Sequence, residues 1–86
     1  MEREVVVLNK SGLHARPGGV FSKECKKYKS DVQLEKDGKR ANAKSIISIL
    51  NLCITQGTKI KIIANGPDEE IAVEALVQLI ESRFGE

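Results

Sequence analysis

The sequence predicts a small α+β domain in which helices cover one face of a β-sheet. Four short segments are rich in β-branched or alternating apolar residues, as strands are. Three segments with helical signals complete the element order β-α-β-β-α-β-α. A chain of 86 residues can bury one core layer, so we expect a single domain over residues 1–86. For that order, an amphipathic sheet with helices on one face is the simplest layered arrangement.

The first strand is predicted at residues 4–8, a run of β-branched side chains, and a loop over residues 9–13 follows it. A helix is expected from residue 15 to about residue 27. Pro17 and Gly18 lie in its first turn, where the missing N–H of proline has no cost. The inward positions of this helix are Gly18, Phe21, Ser22, Cys25 and Tyr28 or Lys29.

The middle of the chain predicts a β-hairpin followed by a short helix. Residues 31–36 alternate between polar and apolar side chains, and residues 39–42 form the return strand. The Asp37-Gly38 pair between them is typical of a type I′ turn, which needs positive φ angles. Residues 45–53 form an apolar helix with apolar side chains on both faces, so we expect one face to be exposed for a partner.

The last strand is predicted at residues 59–64, and residues 65–67 (NGP) turn the chain into the final helix. The acidic residues 68–70 suit the positive N-terminal end of that helix. Its predicted buried stripe consists of Ile71, Ala72, Ala75, Leu76, Leu79 and Ile80.

Composition argues against several classes of function. The net charge of +2 and the aromatic content of 3% disfavour nucleic-acid binding. The N-terminal residues form neither a signal peptide nor a membrane span, so we expect a cytoplasmic protein. Cys25 and Cys53 lack metal-ligand spacing and are expected to be reduced apolar fillers, so neither a metal site nor a cofactor is predicted.

Residues 11–17 (SGLHARP) contain the only histidine of the chain and carry the strongest functional signal. Because proline is favoured in a first helical turn, Pro17 places His14 at or next to a helix N-cap, where free N–H groups and the helix dipole attract anions. Arg16 adds a cation suited to phosphate, and imidazole is a nucleophile near neutral pH. This combination is what a phosphohistidine requires. Taken alone, however, a lone histidine is more often an ordinary surface or core residue.

The chain lacks the parts that an enzyme of phosphoryl transfer needs. It has no glycine-rich nucleotide loop and no evident general base beside His14. We therefore expect a carrier that receives phosphate already activated, rather than an enzyme.

Two motifs resemble those of HPr, the histidine-containing phosphocarrier family of the bacterial phosphoenolpyruvate:sugar phosphotransferase system. Residues 12–17 look like its active-site signature, and residues 43–46 look like its second signature, around a regulatory serine. The resemblance covers essentially the whole chain. It implies an open-faced β-sandwich, with a four-stranded antiparallel sheet and three helices on one face. Gly18 and Gly19 depart from the family pattern, in which Ala or Thr is usual.

The resemblance also implies a reaction and its regulation. His14 would accept a phosphoryl group through Nδ1 from phosphorylated Enzyme I and pass it to a IIA domain of a sugar permease, and Arg16 would bind the phosphate. In Gram-positive relatives, the serine at the place of Ser45 is phosphorylated by an HPr kinase/phosphorylase, and that form is the corepressor of a catabolite control protein. As the N-cap of a helix, Ser45 would present a phosphate to free N–H groups.

A docking surface for acidic partner proteins is predicted beside His14. Its predicted members are apolar Val20, Ile47 and Leu50 and basic Lys23, Lys26 and Lys44. We expect a monomer, because a carrier must dock with several partners. Two alternatives remain open: a nitrogen-branch or regulatory HPr paralogue that acts mainly through protein–protein interaction, and a small binding module without transfer chemistry.

Overall fold

The sheet of this protein has four antiparallel strands in the order β1-β4-β2-β3. The computed structural model describes residues 1–85. The strands are β1 (Glu2–Val6), β2 (Asp31–Lys36), β3 (Lys39–Asn42) and β4 (Lys59–Asn65). The helices are α1 (Ala15–Cys25), α2 (Ile46–Asn51) and α3 (Glu69–Glu81), and a 3₁₀ turn follows at Arg83–Gly85. The predicted element order and the open-faced β-sandwich are confirmed.

One face of the sheet packs under the helices. The strand register places Val5 opposite Ile60 and Val32 opposite Ala64, and all four side chains are buried. Each aliphatic side chain that is fully buried stabilises the fold by about 1.5–3 kcal/mol. The largest buried side chains of this core include Phe21, Leu34, Ile62, Leu76 and Ile80.

The other face of the sheet carries a row of alternating charges. The register aligns Glu4, Lys61, Glu35 and Arg40 across all four strands. Arg40 Nε lies 3.5 Å from the Glu35 carboxylate. Exposed ion pairs of this kind contribute at most about 1 kcal/mol each, so this face is a solvated surface rather than a second core.

Several predicted boundaries are wrong. The second helix spans residues 46–51 rather than 45–53, because Ser45 is its N-cap and Leu52 its C-cap. The first strand spans residues 2–6 rather than 4–8, because its partners on β4 are residues 59–63. The first helix ends at Cys25 rather than near residue 27. There the N–H groups of Lys27 and Tyr28 bond to carbonyls three residues earlier, which tightens the chain into a turn.

The buried stripe of α3 is rotated from the predicted one. Ile71 is 66% exposed, whereas Val73 and Val77 are buried. Most residues of this helix are apolar, so periodicity permits several stripes and only contact with the sheet selects one. Cys53 is likewise exposed rather than a core filler. Burial raises the pKa of the Cys25 thiol to about 12, so this thiol stays protonated.

Asp68 joins the loop after α1 to the beginning of α3, at the opposite end of α1 from His14. Its carboxylate accepts hydrogen bonds from the Ser30 hydroxyl at 2.5 Å and from the N–H groups of Lys29 and Ser30 at 2.9 Å. These bonds, that of the Ser30 hydroxyl above all, lower the pKa of Asp68 to about 2.

We expect Asp68 to contribute stability that is present above about pH 4 and is lost as the pH falls towards 2. Folding lowers the pKa of this carboxyl group, so protonating it in the native protein costs more free energy than protonating it in the unfolded chain. The melting temperature of Asp68→Asn should therefore lie below that of the wild type at neutral pH and approach it in acid. Thermal unfolding across this pH range measures the difference, and Glu70→Gln, an exposed carboxylate on the same turn, is the control. A difference that does not change with pH would contradict the prediction.

Candidate functional site

His14 is the N-cap residue of α1. Its backbone is extended, with φ −73° and ψ −170°, and its carbonyl accepts the N–H of Gly18 at 2.7 Å. The imidazole makes no capping hydrogen bond, and the residue is exposed. The ring is therefore open to a partner at the positive end of the helix dipole.

The loop before His14 is shaped by Gly12. This residue has a φ angle of +59°, in the left-handed region that favours glycine, and a Cβ there would lie 2.5 Å from the carbonyl oxygen of Ile54. Leu13 donates its N–H to the same carbonyl at 3.0 Å, and its side chain is buried. The contact with Ile54 thus determines where the backbone enters α1.

Arg16 lies in the first turn of α1 and is exposed, and the buried Pro17 follows it. The N–H groups of Ala15 and Arg16 have no acceptor within the helix, because they belong to its first turn. Together with the guanidinium, they suit this end of the helix to anionic oxygens. Beside it lies a cavity of about 200 Å³, which is lined by Arg16, Pro17, Val20, Phe84 and Gly85.

Two residues near His14 were not expected at this site. Asn9, in the predicted loop, is only 1% exposed, and Phe84 of the C-terminal turn lines the cavity beside Arg16. Phe84 is far from Arg16 in the sequence, and no local pattern marks a loop asparagine as buried, so sequence reasoning did not indicate either residue.

Gly18 and Gly19 allow α1 to approach α2 closely. A Cβ on Gly18 would lie 3.3 Å from the backbone carbonyl oxygen of Leu13. A Cβ on Gly19 would have one neighbour within 4 Å among the described residues, Cδ1 of Ile46 at 3.3 Å. The end of an isoleucine side chain can move aside, whereas a backbone carbonyl in the helix-entry loop cannot.

Replacement of Gly19 by Ala should therefore stabilise the protein by about 0.5–1 kcal/mol, because Ala is the better helix former and has fewer conformations when unfolded. The matched control, Gly18→Ala, should gain less or lose stability, since its Cβ presses on the Leu13 carbonyl. Chemical denaturation measures both free energies of unfolding. Equal gains at the two positions would contradict the effect assigned to the Leu13 contact.

Exposed apolar side chains of α1 and α2 lie beside this helix contact. Ile47 is 68% exposed, Val20 46% and Ile46 38%, and Leu50 is half-buried. Ile46 was not among the residues predicted for a docking surface. We call Val20, Ile46, Ile47 and Leu50 the apolar patch.

The three predicted docking lysines differ in their surroundings. Lys23 and Lys26 are exposed. Lys44 is half-buried, and its ammonium group donates a hydrogen bond to the carbonyl oxygen of Tyr28 at 2.8 Å. Lys44 therefore ties the segment before α2 to the turn after α1, a structural role that the sequence did not predict.

Ser45 is the N-cap residue of α2 and is half-buried. Its hydroxyl accepts the N–H of Ser48 at 3.4 Å. The next two residues, Ile46 and Ile47, belong to the apolar patch. Ser45 therefore lies at the edge of that patch.

The described part of the chain, residues 1–85, contains no cluster of three His, Cys, Asp or Glu side chains that could hold a metal ion. Within the same range, no helix is both long and apolar enough to cross a membrane.

An open-faced β-sandwich with an exposed histidine at the beginning of its first helix is the arrangement that the resemblance to the HPr phosphocarriers implied. A family model described as the PTS HPr component phosphorylation site matches residues 1–82. The chain belongs to this family, the HPr proteins of the phosphotransferase system.

The curated relatives carry two names, HPr-like protein Crh and phosphocarrier protein HPr. The HPr-like protein Crh of Halalkalibacterium halodurans is 44% identical over 81 residues, which cover 94% of this chain and 96% of that protein. The phosphocarrier protein HPr of Borreliella burgdorferi is 40% identical over 82 residues, which cover 95% of each chain.

Solved structures of HPr from Thermoanaerobacter tengcongensis are similar over the whole chain. The structure of HPr-C-His superimposes with a TM-score of 0.98 at 49% identity, covering 100% of this chain and 97% of that one. A structure described as an HPr dimer from the same organism has a TM-score of 0.82 at 50% identity, covering 95% and 94%. The expected monomer is thus not a general property of such relatives.

Proposed function

We propose that this protein carries phosphoryl groups between proteins of the phosphotransferase system. In this proposal, Nδ1 of His14 accepts the group from phosphorylated Enzyme I and passes it to a IIA domain of a sugar permease. The observation that carries the proposal is the exposed imidazole of His14 at the N-terminal end of α1, with Arg16 in the following turn. Membership in the HPr family supports the same role.

The proposed transfer exchanges one phosphorus–nitrogen bond for another. The lone pair on Nδ1 of His14 forms a bond to phosphorus while the bond to the donor imidazole breaks, and that electron pair returns to the donor ring. The free N–H groups of the first turn and the guanidinium of Arg16 would stabilise negative charge on the transferring oxygens. Docking supplies the in-line alignment of donor and acceptor. The same exchange, run towards the next acceptor, releases the group again.

The apolar patch and the basic Lys23 and Lys26 are the docking surface in this proposal. Exposed apolar area on Val20 and Ile47 would be buried against the partner, and the lysines would attract an acidic surface. Enzyme I and the IIA domain would use this surface in turn, because both must bring their reacting groups to the same histidine.

Phosphorylation of Ser45 is the regulatory part of the proposal, with an HPr kinase/phosphorylase as its source and a catabolite control protein as partner of the phosphorylated form. Two observations support it: Ser45 caps α2, and it lies at the edge of the apolar patch. A phosphate there would bring about −1.5 to −2 charges to the docking surface. The consequence would be repulsion of an acidic partner.

A regulatory or nitrogen-branch paralogue is the second candidate, and the similarity to an HPr-like protein Crh favours it. A purely regulatory relative needs no phosphoryl acceptor, so the exposed His14 favours the carrier.

We also propose that residues 1–86 act as a single domain and a cytoplasmic monomer. Size-exclusion chromatography with light scattering would test the monomer, and a stable dimer would contradict it.

Incubation with phosphoenolpyruvate and Enzyme I tests the carrier function. We expect a mobility shift on a native gel, and reversal of the shift when a IIA domain is added. A protein that gains no phosphate from Enzyme I, yet binds a catabolite control protein, would instead be the regulatory paralogue.

A further inference from the structure

Asn9 lies buried between the end of β1 and the loop that presents His14. Its side-chain Nδ2 donates a hydrogen bond to the carbonyl oxygen of Gly12 at 2.7 Å. In return, the N–H of Gly12 donates to the backbone carbonyl of Asn9 at 3.0 Å. The two bonds close residues 9–12 into one locked turn. His14 lies two residues after the end of this turn.

The locked turn is also attached to the loop before β4. Gly57 donates its N–H to the carbonyl of Val7 at 2.6 Å, and Gln56 donates through its side chain to the carbonyl of Leu8 at 3.1 Å. On the other side of the turn, Leu13 donates to the carbonyl of Ile54 at 3.0 Å. The backbone is thus held on both sides of residues 9–12, and Asn9 supplies the side-chain bond within the turn.

The hydrogen bonding of Asn9 is incomplete. Its Oδ1 atom is buried and has no hydrogen-bond partner among the described residues. A buried polar atom without a partner costs stability, and such groups in native proteins call for an explanation. The bond that Asn9 forms holds the Gly12 carbonyl, so its direct effect is on the geometry of the turn before His14.

We propose that Asn9 is a positioning residue for phosphoryl transfer at His14. It holds the Gly12 carbonyl and thereby fixes the peptide planes that lead into the N-cap, so that His14 is held at the N-terminal end of α1. The inference rests on the proposed function of His14. The docking residues lie on α1 and α2 and not on this loop, so Asn9 should affect the transfer step rather than partner binding.

Steady-state phosphorylation by Enzyme I, at varied concentrations of this protein, separates an effect on the transfer step from an effect on partner binding. We expect Asn9→Ala to lower kcat about tenfold or more with KM near the wild-type value, because misplaced reacting groups slow an oriented step. Asn9→Asp keeps the shape of the side chain but, when ionised, has no donor for the Gly12 carbonyl, so it should show the same loss. The ring ¹H–¹⁵N resonances of His14 should shift in both variants.

Ser30→Ala is the matched control. Ser30 is also 1% exposed and also forms a side-chain hydrogen bond that ties a loop in place, but at the opposite end of α1. It should lower the melting temperature without changing kcat. Wild-type kcat in folded Asn9→Asp or Asn9→Ala, or a change in KM alone, would overturn the inference and leave Asn9 as a structural residue. A wild-type protein that gains no phosphate on His14 would instead overturn the proposed function itself.

Discussion

Replacement of His14 by Ala is expected to abolish phosphorylation of this protein by phosphoenolpyruvate and Enzyme I. The imidazole is the nucleophile of the proposed transfer, and alanine has no atom that can form the bond to phosphorus. The fold should be retained, because the His14 side chain is exposed and makes no capping hydrogen bond. We therefore expect the melting temperature to change by no more than a few degrees.

Chemical stability of the adduct identifies the linkage in the wild-type protein. A phosphohistidine is labile in acid and stable in alkali, and ³¹P NMR of the intact protein would assign the phosphorus to Nδ1 or Nε2. Lys10→Ala, an exposed change in the same loop, is the control and should be phosphorylated normally. An adduct that survives in His14→Ala would falsify the assignment of the acceptor.

Replacement of Ser45 by Asp should slow phosphorylation by Enzyme I, on the order of tenfold at low salt. Aspartate also caps helices well, so α2 should remain folded and the change should act through charge. The new negative charge stands at the edge of the apolar patch, where it would repel an acidic partner. Because such repulsion is screened by ions, the deficit should shrink as ionic strength rises.

Ser45→Ala distinguishes the effect of an added negative charge from the effect of losing the N-cap hydrogen bond of α2. It removes the hydrogen bond to the N–H of Ser48, which should cost about 1 kcal/mol or less for a bond of this length. It adds no charge, so its transfer rate should match the wild type. Stopped-flow or quenched kinetics at two salt concentrations would measure the three proteins together. Wild-type kinetics of Ser45→Asp at low salt would leave Ser45 with its capping role alone.

Local chemistry was sufficient to predict several elements. The hairpin strands at residues 31–36 and 39–42 have the predicted bounds, and both turn residues, Asp37 and Gly38, have positive φ angles. The expected N-caps, His14 and Ser45, begin α1 and α2. Turns and caps are formed by neighbouring residues, so the sequence contains the interactions that determine them.

The apolar helices show where local pattern is insufficient. An apolar run on α3 is compatible with more than one buried stripe, and the sheet selects the one that contains Val73 and Val77 and leaves Ile71 exposed. The same holds for α2, where Ile46 is partly exposed beside Gly19 of α1. Periodicity defines an apolar arc, and only packing against another element chooses the part of the arc that is buried.

The sequence by itself therefore determined the element order and the turn and cap residues, and it indicated His14 as the candidate for the reactive side chain. The tertiary structure alone decided the surroundings of that histidine. Gly12 is approached by Ile54, which is distant in the sequence, and Asn9 is buried although no local pattern marks it as buried. Such contacts arise only when the whole chain closes around one core, because burial of each partner depends on all the others.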